Sequence, residues 1–112
     1  MTDFELFQSE FKKWQQKFGL MGHQVYFKYE PLKERFADLD VNTELRVATV
    51  RLNSKLDADE TPFKDIKKSA KHEAIHLLLD KLEDCAFSRY IRQGEIVEAT
   101  EELVVKLMEL IP

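Results

Sequence analysis

"LRVATVRLN", residues 45–53, decides the fold class. Ala48, Val50 and Leu52 alternate with Val47, Thr49 and Arg51, the period of two that sends successive side chains to opposite faces of a strand. Working back towards the N-terminus, "NTE" at 42–44 has turn chemistry. Before it Ala37, Leu39 and Val41 alternate with Asp38 and Asp40 in a second strand, from about Phe36 to Val41. A third alternating run sets Val25, Phe27 and Tyr29 against Gln24, Tyr26 and Lys28, and Pro31 closes it. These runs predict a small three-stranded, mostly antiparallel or mixed sheet.

Helical periods flank the sheet on both sides. Residues 2–18 begin with Thr2 and Glu5 at capping-box spacing, place Phe4, Phe7, Phe11, Trp14 and Phe18 three and four apart, and end in the glycines of "GLMG". An aromatic stripe at this spacing reads as core packing rather than a docking face. On the other side "SKLDADE" at 54–60 is a polar connector, and Thr61 and Pro62 read as an N-cap with proline at the first helical position. The helix that follows runs to about Leu82, with Phe63, Ile66, Ala70, Ala74, Leu77 and Leu78 on one side. Residues 83–93 read as irregular or a short turn, and a last helix from about Gly94 or Glu95 turns Ile96, Val97, Leu103, Val104, Leu107, Leu110 and Ile111 towards the core. The element order is α, β, β, β, α, α, an α+β chain of 112 residues forming one domain over 1–112.

Composition narrows the function. Charged residues make up 34% and hydrophobic ones 44%, the net charge is −4, and no basic block is long enough to follow a phosphate backbone, so nucleic-acid binding is not expected. No apolar run approaches the roughly 20 residues of a membrane span. The single cysteine, Cys85, has no intramolecular partner, and the N-terminus lacks a signal-peptide pattern; a cytoplasmic monomer is the expectation.

The chemistry concentrates in "KKSAKHEAIHLLLDKL", residues 67–82. His72 and His76 lie one helical turn apart on one face, where two imidazole nitrogens can meet one zinc ion at about 2.0–2.1 Å. Glu73, about 100° around the helix from His72, is placed to hold a water beside the metal and take its proton. Two of the chain's three histidines occupy this motif with a glutamate between them, which favours a site over coincidence. A catalytic zinc needs a third protein ligand. His23 precedes the first strand, whereas the last helix offers Glu98, Glu101 and Glu102. Glu101 falls at the margin of the expected apolar face beside Val97, Val104 and Met108 and is favoured, with Glu98 and Glu102 as alternatives on the polar side.

An N-terminal helix, a small sheet, an HExxH helix and a following glutamate-bearing helix resemble the minimal zincin domain of the gluzincins, particularly the minigluzincins and the compact SprT-like proteins. "RVATVRLN" at 46–53, "IKKSAKHEAIHLLLDKL" at 66–82 and "EELVV" at 101–105 carry the likeness. The resemblance implies a zinc-dependent peptidase with one catalytic Zn²⁺ held by His72, His76 and a glutamate of the last helix, and with Glu73 as general base and acid. It also implies that the strand from Ala48 to Leu52 borders the cleft and pairs with an extended peptide or protein substrate. A peptidase of this kind needs a further oxyanion donor, for which Tyr90 is the first candidate and Arg89 and Arg92 are alternatives. Asp80, four residues after His76, is a candidate to orient an imidazole or, more plainly, a partner of Lys81 and Asp84 on a wet face. Cys85 reads as a small buried thiol, or as a group that approaches the metal. Two competing functions stand beside the peptidase: a zinc-stabilised peptide- or protein-binding module without turnover, and a metal-free interaction domain.

Overall fold

The structure, a computed structural model, describes residues 2–55, 65–88 and 90–110. Six elements follow in the expected order: α1 (Asp3–Lys17), β1 (Gln24–Glu30), β2 (Ala37–Asn42), β3 (Val47–Asn53), α2 (Ile66–Phe87) and α3 (Gln93–Leu110). The expected α+β layout is present. The N-cap reading of Thr61 and Pro62 and the core position of Phe63 fall outside the described residues.

The sheet is mixed, with β3 in the centre and the order β1-β3-β2. β2 and β3 form an antiparallel pair, Ala37 opposite Leu52 and Asn42 opposite Val47, whereas β1 runs parallel to β3 with Gln24 opposite Val47 and Glu30 opposite Asn53. Composition accounts for the order. β3 carries the most apolar run and takes the position paired on both sides, while the charges of β1 (Lys28, Glu30) and β2 (Asp38, Asp40) suit edges. Because β1 and β2 are not neighbours, residues 31–36 carry the chain across the end of β3. Asn53, buried at the tip of β3, holds that crossing: its amide nitrogen donates to Leu32 O (3.0 Å) and Arg35 O (2.7 Å), and its oxygen accepts from Leu32 N (3.1 Å) and Lys55 N (2.9 Å). Glu34 inside the crossing and Arg46 at the end of the β2–β3 turn both adopt positive φ, 59° and 55°.

One face of the sheet is covered by helices. Ala48, Val50 and Leu52 of β3 are buried against Phe7 and Phe11 of α1 and Ala70, Ala74 and Leu77 of α2 in a continuous core. The aromatic stripe on α1 is core packing, as expected. Phe11 meets Phe27 of β1 edge-on at 5.5 Å between ring centroids, and Phe4 stacks on Tyr29 at 5.1 Å. The helix begins at an N-cap Thr2, whose hydroxyl accepts from Glu5 N (3.1 Å) and donates to the Glu5 carboxylate (3.1 Å). Gln15, buried, donates to Leu20 O (2.9 Å) and His23 O (3.2 Å) and so fixes the turn from α1 into β1.

Two helical readings change. α2 continues five residues beyond Leu82, to Phe87, because Cys85 extends the buried stripe of Ala74, Leu77 and Leu78 by two more turns. α3 packs chiefly on α2 and buries Ala99, with Leu103 and Leu110 against the core; Ile96, Val97, Val104 and Leu107, expected inside, are 39–52% exposed. The stripe that meets α2 lies one position round the helix from the largest side chains. No helix among the described residues is long and apolar enough to cross a membrane.

Candidate functional site

α2 starts at Asp65, whose side chain accepts from Lys68 N (3.0 Å), and turns Ile66, Ala70, Ala74, Leu77 and Leu78 inward. That stripe orients the HEAIH segment. His72 and His76 fall on the exposed side beside β2, with their Nε2 atoms 3.1 Å apart and ring centroids 4.8 Å apart. Glu73 projects between this surface and the core and is 6% exposed. Ala70, Ala74, Leu77 and Leu78 bury the helix, and the two histidines lie at the edge of a cleft.

The cleft lies between α2 and β2. One depression of about 290 Å³ is lined by Glu73, His76 and Asp80 of α2 and by Ala37, Leu39 and Val41 of β2. A second, about 420 Å³, lies one turn earlier against His72, Glu73, Ser69 and Phe36, so Glu73 borders both. Burial raises the Glu73 carboxyl above its ordinary 4.5; the His76 and His72 imidazoles pull it back, and Asp38 adds to the rise. Asp38, also at the cleft, is engaged elsewhere, accepting a bidentate pair from Arg51 at 2.6 and 2.8 Å.

Two donors, each about 2.0–2.1 Å from one zinc ion in tetrahedral arrangement, stand about 3.3 Å apart. The 3.1 Å between the two Nε2 atoms is close to that separation, so the imidazole pair fits a shared ion. None of the three expected glutamates of α3 is assembled with them. Glu101 is exposed on α3 and lies with Glu98, Glu102, Val105 and Lys106 on a separate surface. Glu98 and Glu102 face Lys81 of α2 at 3.6 and 3.1 Å. Among the described residues no group of three or more His, Cys, Asp or Glu side chains is arranged to hold a metal. The margin on which Glu101 was expected to reach the cleft is open to solvent, since Val97, Val104 and Met108 beside it are 43–73% exposed.

Tyr90 is 85% exposed in the α2–α3 connector, and the end of α2 at Phe87 is about 16 Å along the axis from His76. Arg92 is in the same connector, and Arg89 lies outside the described residues. Asp80 neither reaches an imidazole of the pair nor joins Lys81 in an ion pair; it accepts from Thr43 Oγ1 at 2.9 Å. Cys85 is a free, buried thiol with Sγ 4.0 Å from Glu95 O.

The strand from Ala48 to Leu52 has no open edge, because β3 is paired on both sides; the edge bordering the cleft belongs to β2. Sequence reasoning missed β2 as the cleft strand. Its signal was present in Asp38 and Asp40, charges that mark an edge. Protein-family models, curated proteins and solved structures were all compared with the chain, and none of them matches it.

Proposed function

We propose that this protein is a zinc-dependent hydrolase of extended polypeptide, with His72 and His76 holding the ion and Glu73 handling the proton. The observation that carries the reading is the pair of Nε2 atoms 3.1 Å apart on an exposed helical face, with a buried carboxylate on the intervening turn. In this reading the open edge of β2 receives the substrate backbone as an added strand, which brings a peptide carbonyl alongside α2. Glu73 takes the proton of the attacking water and returns it to the departing amine. When bound, the ion supplies Lewis-acid polarisation of the carbonyl. A cytoplasmic setting and a monomeric state belong to the same proposal, on the basis of the single thiol and the charged composition.

A second reading is favoured by one observation, the exposure of Glu101 away from the histidines. It is a zinc-stabilised module that binds a peptide in the α2–β2 cleft without cleaving it. Zinc determination on the metal-replete protein, combined with hydrolysis of an unfolded polypeptide, separates the two. The hydrolase reading expects about one equivalent of zinc, its loss in His72→Ala, and cleavage abolished in Glu73→Gln with the zinc retained. Zinc at one equivalent with no cleavage by the unaltered protein would leave the binding module. Absence of zinc, with His72→Ala indistinguishable from the parent, would remove both.

A further inference from the structure

A cavity of about 440 Å³ opens on another side of α2, enclosed by the second half of that helix, α3, the α1–β1 turn and the β2–β3 turn. Its floor is apolar: Leu20, Leu77, Leu78 and Ala99 line it, each at most 7% exposed. Its rim is unevenly charged. Glu44, Asp80, Asp84, Glu95, Glu98 and Glu102 face it against three permanent cations, Arg46, Lys81 and Lys106. His23 adds no reliable positive charge, since burial, reinforced by Arg46 and Lys106, outweighs its Leu20 hydrogen bond and Asp80 and lowers its pKa.

Two of the three cations are already engaged, Lys81 by glutamates of α3 and Lys106 by a backbone carbonyl. Lys81 lies between Glu98 and Glu102 at 3.6 and 3.1 Å, Lys106 donates to Gly19 O at 3.0 Å, and the Arg46 guanidinium lies beside Gly22. Among the described residues no ion pair joins any of them to Asp80 or Asp84. These two carboxylates stand one turn apart on the same face of α2, so they repel each other, and desolvation already burdens Asp80. A compact cation between them would relieve both costs, and an aliphatic stem behind it would cover the leucine floor.

We propose that this cavity binds an ammonium or guanidinium group carried on an aliphatic stem, with Asp80 and Asp84 facing the cation and Leu77, Leu78 and Leu20 facing the stem. The chemistry is that of a lysine or arginine side chain or of a free alkylamine or alkylguanidine. The proposal holds whether or not His72 and His76 carry a metal.

The test is a calorimetric or chemical-shift titration of the full chain with n-butylguanidine, with n-pentanol and pentanoate as neutral and anionic controls. A parallel arm uses the capped peptide acetyl-Ala-Ala-Arg-Ala-Ala-amide. Saturable binding of n-butylguanidine with a dissociation constant of about 1–10 mM is expected, ordinary for a ligand of this size. Asp84→Asn and Asp80→Asn together should weaken it about tenfold or more, while Glu101→Gln leaves it unchanged. Both cavity substitutions are isosteric, and the side-chain amide oxygen that Asp80→Asn introduces can still accept from the Thr43 hydroxyl, so a circular-dichroism melt should show the variant folded. Peptide binding at equal or higher affinity assigns the occupant to a polypeptide, and binding of the free guanidine alone assigns it to a small molecule. Equal affinity in the doubly substituted protein, equal binding of pentanol or pentanoate, or no saturation by either cationic probe overturns the proposal.

Discussion

Replacing Asn53 by alanine tests whether one side chain holds the cleft wall in place. The amide makes four hydrogen bonds, at 2.7, 2.9, 3.0 and 3.1 Å, and three of them go to the residues 31–36 that carry the chain from β1 over to β2. At about 0.5–1.5 kcal/mol net each, the four sum to about 2–6 kcal/mol. Water can replace part of this, because the freed backbone groups are only partly buried, which brings the expected loss to about 2–4 kcal/mol. With a urea slope of about 1–1.5 kcal/mol per molar for a chain of this size, the unfolding midpoint should fall by about 2 M. Asn53→Asp is the sharper control. It keeps acceptors for Leu32 N and Lys55 N but turns a carboxylate towards the carbonyls of Leu32 and Arg35, so at neutral pH it should cost at least as much as alanine. Urea unfolding followed by far-ultraviolet circular dichroism gives both numbers. A loss below about 1 kcal/mol in the alanine variant, or an aspartate variant as stable as the parent, would refute the assignment of the crossing to Asn53.

Three further outcomes are expected. Because burial raises the Glu73 carboxyl above 4.5, the folded state binds that proton more tightly than the unfolded chain; the desolvation cost is absent below about pH 4.5 and grows as pH rises through the raised value. In metal-free buffer Glu73→Gln should therefore be the more stable protein at pH 7, with the gap closing towards pH 4, as thermal melts across that range would record. Tyr90→Phe, at an exposed position beyond the end of α2 and outside the lining of the cleft, should leave both zinc content and any peptide hydrolysis at the parent level. Lys81→Met should cost no more than about 1 kcal/mol in chemical denaturation, since its pairs with Glu98 and Glu102 are 44–71% exposed at their side chains.

Much of this architecture can be read from periodicity. The alternation in residues 24–29, 36–41 and 45–53 and the three-and-four spacing of Phe4, Phe7 and Phe11 locate four elements to within two residues. Strand order is less legible, because a four-residue link between β2 and β3 signals a hairpin while nothing in residues 31–36 announces a crossing; the sign is Asn53, a polar residue ending an apolar strand. The end of α2 is hidden by "EDCAF", whose charges look like a loop although Cys85 keeps the buried period. In the site, the placement of His72, Glu73 and His76 follows from helical geometry alone. Glu101 does not, since its direction depends on which stripe of α3 meets α2, and small Ala99 takes that contact in place of the larger Val97 and Val104.

The mixed sheet has a kinetic consequence. Asn42 and Val47, the innermost partners of the β2–β3 pair, are five residues apart in sequence, whereas every β1–β3 pair is 23 apart. Closing the longer loop costs about 1.4 kcal/mol more in chain entropy. The hairpin should therefore form early and β1 dock late, so that substitutions in the β2–β3 turn slow folding while substitutions in β1 chiefly accelerate unfolding, a contrast that stopped-flow chevrons would reveal. The wall of the cleft would then be among the first parts of the molecule to exist, built before the aromatic residues of β1 reach their places against α1.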